Sequence, residues 1–179
     1  MVSKLKQIQH IKHIEKNLSR NSTQSFPHLN STVSHLTFTT MDHVAILSKK
    51  FNFLSKILSG QKSIESRWTI NRKPPYKTIS PGDTVYFKNS GEAVTLRAAV
   101  SHVLFFQRLD LHEIRRILTE YGPNMGVTID YARKVQKARY CTLIFLKNPH
   151  LVPPFTINKK GYGMMAAWIT VPNISAIRR

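Results

Sequence analysis

Apolar residues after position 40 recur at helical spacing in three segments of the chain. Residues 109–122 carry the strongest pattern, in which Asp110 and Glu113 form a capping box, and we expect Gly122 to end that helix. Residues 127–138 predict a further helical turn or two. An earlier helix is predicted from an apolar stripe that we expect to pack in the core. The stripe consists of Phe51, Leu54, Ile57 and Leu58.

Between these helices, apolar and polar residues alternate as they do in β-strands. Residues 93–106 read as one long bent strand, and Val152 to Phe155 as the opening of a loop. No alternation of strand, helix and strand is present, so the pattern predicts an α+β fold with a small, mostly antiparallel β-barrel and flanking helices. The other predicted strands lie at 41–47, within 60–68, and at 84–88, 140–146 and 165–171.

The stretch from Gly60 to Trp68 joins the first helix to the strand that follows it. Gly60 is a typical left-handed residue for ending a helix. On the strand, Glu65 and Arg67 share one face, about 7 Å apart, whereas Ile64 and Trp68 share the apolar face. Lys62 is expected at the mouth of the turn, within reach of the charged face.

This stretch resembles the G-x-K-x-x-E-x-R signature of the ASCH domain, a branch of the PUA-like superfamily that also holds the YTH and EVE domains. Pro81-Gly82-Asp83 and the strand after it resemble the next part of that family's pattern, and so do Ala98-Ala99-Val100. The resemblance covers roughly residues 41–171. It implies a PUA-like fold, with a cleft between the first helix and the barrel that is lined by Lys62, Glu65 and Arg67. From the residues alone, we expect Asp83 to cap the Pro81–Asp83 turn.

The charge of the chain favours a polyanionic partner. Lys and Arg number 27 against 9 acidic residues, a formal net charge of +18 with a pI near 10.4. In residues 71–77 cations interleave with a tyrosine, which suits a single-stranded nucleic acid, although Tyr76 could instead pack on its own prolines. The predicted RNA- or nucleotide-binding residues are Lys62, Glu65, Arg67, Trp68, Arg72, Lys73, Tyr76, Lys88, Lys160 and Tyr162.

The same signature leaves two alternatives open. If the site is catalytic, Lys62 is the candidate base and Glu65 the proton shuttle. The resemblance allows this, since some bacterial relatives act as amidohydrolases on acetylated cytidine and others look like nucleases. Those amidohydrolases, however, look as if they use a hydroxyl residue where this chain has Glu65, and its nearest hydroxyls are Ser63 and Ser66. The second alternative is a structural or protein-interaction module in which Glu65 and Arg67 only hold the barrel edge. We favour the binding of RNA or a modified nucleotide.

Residues 1–40 are predicted to form a flexible, basic extension rich in Ser, Thr and His, and residues 41–179 the ASCH/PUA-like domain. The alternatives for the extension are an organellar targeting segment or an upstream start, with Met41 as the first residue of the domain. His10 and His13 can share a helix face, but no third metal ligand is close in sequence, so we expect neither metal nor cofactor.

A single cysteine, Cys141, lies within an apolar run, where we expect a core residue rather than a nucleophile. No intrachain disulfide is possible, which fits the reducing cytoplasm. No stretch approaches the length of a transmembrane helix, and the N-terminus lacks the apolar core of a secretory signal. We therefore expect a cytoplasmic protein with no membrane partner, and a monomer by default.

Overall fold

The computed structural model describes residues 39–163 and 165–179. Three helices pack beside six strands in this part of the chain. The helices are α1 (Phe53–Leu58), α2 (Leu111–Met125) and α3 (Ala132–Val135). The strands are β1 (Asp42–Leu47), β2 (Ile64–Thr69), β3 (Thr84–Asn89), β4 (Val94–Gln107), β5 (Tyr140–Phe155) and β6 (Trp168–Val171).

The six strands form one mixed sheet in the order β2-β5-β4-β3-β1-β6, which curls into a half-barrel. The β1–β3 pair is parallel, and the other four neighbouring pairs are antiparallel. The α+β class and the mostly antiparallel sheet predicted from the sequence are therefore confirmed. Strands β2 and β6 are the two edges of the sheet.

One side chain joins these two edges. Arg67 on β2 donates from Nη1 to the carbonyl oxygen of Ala167, one residue before β6, at 3.0 Å. Its guanidinium carbon also lies 5.0 Å from the ring centroid of Trp168, the first residue of β6. A cation over an indole ring is an attractive contact. Arg67 thus links the two edge strands, which in the described part of the chain are not paired with each other.

Alternation along the strands sorts the apolar side chains into separate clusters. On β3, Val85 and Phe87 are buried in a cluster that also contains Ile57 of α1, whereas Tyr86 joins a different cluster. A further cluster joins Ile64 and Trp68 of β2 to the buried face of α2. The predicted apolar face of β2 is confirmed. It fixes the opposite face, with Glu65 and Arg67, on the other side of the strand.

The predicted end of α2 at Gly122 was wrong. The helix continues through Pro123 to Met125 and ends at Gly126, which has a left-handed φ of 70°. Gly122 is buried inside the helix, where a Cβ atom would lie 3.1 Å from the carbonyl oxygen of Val127. A glycine at this position therefore allows the helix to pack closely against the backbone of Val127. At the other end, the Asp110 carboxylate accepts from the Glu113 amide at 2.8 Å, so the Asp110 half of the predicted capping box is confirmed. The Glu113 carboxylate instead accepts from Arg116.

Two other boundaries, and the burial of Leu58, differ from the sequence pattern. The predicted loop at 152–155 belongs to β5, because Val94 pairs with Phe155 and Leu96 with Leu151. The extra residues form a bulge that contains two prolines, which need no ladder hydrogen bond. Strand β6 begins at Trp168 and not at 165. Leu58, predicted in the core, is 42% exposed, whereas Ile57 is buried.

The predicted N-terminal extension, with His10 and His13, lies almost wholly outside the described residues, so the domain boundary near residue 40 stays a prediction. Among the residues that are described, no helix is both long enough and apolar enough to cross a membrane.

Candidate functional site

The turn between α1 and β2 folds Lys62 into the protein. Gly60 has a φ of 77°, which fits its predicted role as the left-handed residue after the helix. The backbone amide of Lys62 then donates to the carbonyl oxygen of Lys56 at 2.8 Å. As a result Lys62 is only 2% exposed, deeper than the turn-mouth position expected from the sequence.

The Lys62 ammonium group joins β2 to the end of α2. Its Nζ donates to the carbonyl oxygens of Ile64 at 2.7 Å and Met125 at 2.9 Å, and lies 3.2 Å from Oε2 of Glu65. These three acceptors match the three N–H groups of a protonated lysine. Burial lowers the pKa of Lys62, and the Glu65 carboxylate opposes that shift. The contacts make Lys62 an anchor between two elements.

Glu65 lies between Lys62 and Arg67 and is 4% exposed. Its other oxygen, Oε1, is 3.0 Å from Nη2 of Arg67, but the angle is outside hydrogen-bond geometry. Both Nη2 and Nε of Arg67 are buried and have no hydrogen-bond acceptor within residues 39–163 and 165–179. Buried donors without partners are rare in folded proteins, and each one needs an explanation. The predicted trio therefore converges, and two guanidinium nitrogens have no hydrogen-bond acceptor in the described part of the chain, although one of them, Nη2, is ion-paired with Glu65.

A buried polar chain supports Trp168, the ring against which Arg67 packs. The carboxylate of Asp83 accepts from the amides of Met41 and Ser80, both at 2.8 Å, so its predicted capping role is confirmed. The carboxylate also lies 3.1 Å from Nε2 of His43, a residue with no exposed surface. Trp168 Nε1 donates to Nδ1 of His43 at 3.3 Å. This arrangement fits a neutral imidazole with its proton on Nε2, and burial lowers the pKa of His43.

A small concave site, called here the central cavity, has a volume of about 160 Å³. Its polar wall contains the Lys62–Glu65–Arg67 trio together with the hydroxyl residues Ser48 and Tyr131. Ser66 also lines the cavity, but its hydroxyl accepts from Trp68 Nε1 at 3.2 Å. Burial raises the pKa of Tyr131, and the Glu65 charge adds to the shift, so its hydroxyl stays neutral. The remaining walls are apolar and consist of Ile46, Leu47, Phe51, Phe53, Met125 and Val127.

A larger depression of about 630 Å³, called here the outer cavity, adjoins the central cavity at Arg67, which lines both. Trp68, Lys73 and Tyr162, three of the predicted binding residues, line the outer cavity, and Trp168 forms another part of its wall. The structure thus brings one part of the predicted set around the central cavity and another part around the outer cavity, with Arg67 common to both.

The other predicted binding residues lie elsewhere. Tyr76 is 7% exposed, its ring packs edge-on against Phe105 and Tyr140, and its hydroxyl donates to Gln107 at 3.2 Å. A ring packed in this way offers no free face for stacking. Arg72 is exposed on the loop after β2. Lys88 and Lys160 are not among the residues that line the central or outer cavity.

The structure also locates the remaining candidate groups. Cys141 is buried and burial raises its pKa well above the ordinary value, in agreement with the predicted core role. Ser63 accepts from the side-chain amide of Asn124 at 3.1 Å and does not line the central cavity. Within residues 39–163 and 165–179, no three His, Cys, Asp or Glu side chains lie close enough together to hold a metal ion.

Several central-cavity residues are not marked by the sequence pattern, because they come from different parts of the chain. Ser48 follows β1, Tyr131 lies in the turn before α3, and Met125 ends α2. No local pattern marks these positions. Only the packing of α1 and α2 against β2 brings them to the signature.

No protein-family model matches the chain, and no curated protein matches it. Solved structures do. The crystal structure of ASCH from Zymomonas mobilis has a TM-score of 0.50 and 16% identity, over 64% of this chain and 73% of that chain. A serine-to-alanine variant of that protein has a TM-score of 0.51 at the same identity and coverage. A tyrosine-to-phenylalanine variant has a TM-score of 0.50 at 16% identity, over 64% of this chain and 75% of that one.

At this level of identity the likeness establishes the fold. The chain shares the α+β fold of the ASCH structure from Zymomonas mobilis, as the sequence resemblance predicted.

Proposed function

We propose that this ASCH-type module binds single-stranded RNA and holds one base, ordinary or modified, in the central cavity. The observation that carries the proposal is the state of Arg67. Its Nε and Nη2 are buried and have no hydrogen-bond acceptor among the described residues, and Arg67 lines both the central and the outer cavity. A carbonyl oxygen or ring nitrogen of a base would supply the missing acceptor, since a guanidinium presents a planar fork of donors.

The size and walls of the central cavity fit this ligand. Its volume of about 160 Å³ is below the ~300–1,000 Å³ of a typical drug-sized pocket, so it suits a flat ring better than a whole nucleotide. Apolar side chains on the opposite walls can cover the faces of that ring. The Glu65 carboxylate keeps lone pairs beyond those directed at Lys62 and Arg67, and can accept from an exocyclic amine.

Charge supports the same ligand class. Lys62 and Arg67 face one carboxylate, Glu65, so the trio carries a net positive charge. Lys73 adds another cation at the outer cavity, and the chain as a whole has a formal charge of +18. A positive concave site attracts a polyanion and raises its rate of association.

The contacts of Lys62 favour binding over catalysis. A general base needs a free lone pair near the substrate. Lys62 instead directs its three N–H groups at Ile64, Met125 and Glu65, and the last of these partners favours its protonated form. The proposal therefore gives Lys62 an anchoring role, and it assigns Glu65 to base recognition and not to proton transfer.

Three oligonucleotides of about nine residues test the proposal: a single strand, the same strand with all bases removed, and its duplex. We expect the single strand to bind at low micromolar protein or below, and its affinity to fall steeply between about 50 and 200 mM salt. The abasic strand should bind about 5- to 150-fold more weakly, the contribution of one stacked base. The duplex should also bind more weakly, because its bases remain paired.

Fluorescence anisotropy with labelled strands measures these affinities directly. The abasic strand is the matched control, since its phosphate charge is the same. Equal affinity for the intact and abasic strands would show attraction by charge alone and would remove the proposed base site.

A further inference from the structure

Two more concave sites flank the outer cavity. The first, called here the loop cavity, has a volume of about 300 Å³ and lies on the segment after β2. It is lined by Arg72, Lys73, Pro74, Tyr76, Lys77, Thr78 and Gln107. The second, called here the helix cavity, has a volume of about 400 Å³. It lies between the end of β2 and α3, and its wall includes Arg133, Lys134 and Lys137.

Each of these two sites shares lining residues with the outer cavity. The loop cavity shares Lys73 and Pro74 with the outer cavity. The helix cavity shares Trp68 and Thr69 with it. The outer cavity thus shares lining residues with both flanking cavities, and it shares Arg67 with the central cavity. The loop, outer and helix cavities are called here the row. A ligand that reaches Arg67 has a basic depression on each side of it.

The cations of both flanking cavities are exposed and lack acidic partners. In the described part of the chain, no Asp or Glu side chain forms an ion pair with any of them. On α2, by contrast, Arg116 pairs with both Glu113 and Glu120. The cations in question are Arg72, Lys73 and Lys77 at the loop cavity and Arg133, Lys134 and Lys137 at the helix cavity.

Aromatic rings fix the positions of some of these cations. Arg72 lies 5.7 Å from the ring centroid of Tyr140, and Lys77 lies 5.0 Å from that of Phe105. On the other side, Lys134 lies 4.3 Å from the ring centroid of Phe51, which is a wall of the central cavity. Cations that are already held in place and have no acidic partner are suited to binding phosphate, because their side chains lose little conformational entropy on binding.

We propose that this row binds the sugar–phosphate backbone of a single strand that continues on both sides of the base at Arg67. The protein then reads an internal nucleotide of a single-stranded chain, and neither a free nucleotide nor a chain end is its preferred ligand. This inference rests on the proposed base site for its central contact. It adds the path of the backbone, with phosphates at the loop cavity and at the helix cavity.

Two double variants separate the sides of the row: Lys73→Ala/Lys77→Ala and Arg133→Ala/Lys137→Ala. The control, Arg115→Ala/Lys147→Ala, removes two exposed cations that line none of these cavities. Each double variant lowers the formal net charge from +18 by two, to +16, so non-specific attraction is matched. The replaced side chains are exposed, and thermal unfolding checks that each variant is folded.

For a single strand of about nine nucleotides, each test variant should bind about 5- to 30-fold more weakly than the wild type. Its salt slope should fall by about 1.4, since each lost phosphate contact removes about 0.7 from a single-strand slope. The control should change affinity less than about twofold. The combined four-site variant should show the product of the two losses, as separate contacts do.

The abasic strand separates this inference from the proposed base site. Both test variants should keep the wild-type ratio of affinities for intact and abasic strands, whereas loss of Arg67 should lower it. No loss in either test variant, or a loss in one only, would overturn the two-sided path, and so would an equal loss in the control. A ratio near one in the wild type would overturn the base site itself.

Discussion

Replacing Arg67 with alanine should weaken binding of single-stranded RNA about 10- to 150-fold. The expected loss is that of a charge-assisted hydrogen bond, roughly 1.5–3 kcal/mol. We assign this hydrogen bond to Arg67 because its Nε and Nη2 are the buried side-chain donors that lack an acceptor in the described part of the chain. Arg67→Lys should recover only part of the affinity, because an ammonium keeps the charge but not the planar fork. Titration of a labelled strand at fixed salt measures the effect.

The structural role of Arg67 requires a control for stability. Its Nη1 donates to Ala167 and its guanidinium packs on Trp168, so Arg67→Ala also loosens the contact between the two sheet edges. Thermal unfolding must show that the variant is folded at the assay temperature. Arg115→Ala, on the exposed face of α2, removes the same charge away from the site. Unchanged binding in a well-folded Arg67→Ala would leave Arg67 with the edge-holding role alone.

Replacing Glu65 with leucine should lower the free energy of unfolding by about 3–5 kcal/mol, the usual cost of removing one partner of a buried ion pair. Lys62 would then lose its acidic partner at 2% exposure, and Arg67 would lose the same partner close by. Two neighbouring buried cations without a carboxylate repel one another. Chemical denaturation of the wild type and the variant measures the difference.

A double variant separates the ion pair from simple packing. Lys62→Met combined with Glu65→Leu replaces the pair by apolar side chains, a change that is often close to neutral in other proteins. The double variant should therefore be more stable than Glu65→Leu alone. A loss below about 1 kcal/mol in Glu65→Leu would mean that Glu65 does not stabilise the buried cations.

The sequence predicted those parts of the site that depend on local geometry. Period-two alternation placed Glu65 and Arg67 on one face of β2 and Trp68 on the other, because successive side chains of a strand point to opposite faces. The turn signal at Gly60 was right for the same reason. The ASCH-type fold followed from a short motif in the right order, and the solved structures confirm it.

Contacts between distant parts of the chain were beyond the reach of the sequence pattern. The burial of Lys62 depends on the carbonyl of Met125, sixty-three residues later. That carbonyl is in place because α2 continues past Gly122, where the pattern ended it. Likewise, Asp83 was correctly placed as a turn cap, but its link through His43 to Trp168 requires β1 and β6 to be neighbours in the sheet. Strand pairing of this kind has no local signal.

The most direct measurement of the central claim is the NMR signal of the Arg67 Nε–H group during titration with the single strand. The Nε atom that carries this proton is buried and has no acceptor among the residues that the structure describes. We predict a large downfield shift and slower solvent exchange as a base supplies the acceptor, with no such change when the abasic strand is added or at exposed Arg115. If the intact strand binds and shifts the signals of surface arginines while the Arg67 Nε–H signal stays unchanged, the base is not held at Arg67 and the account is wrong.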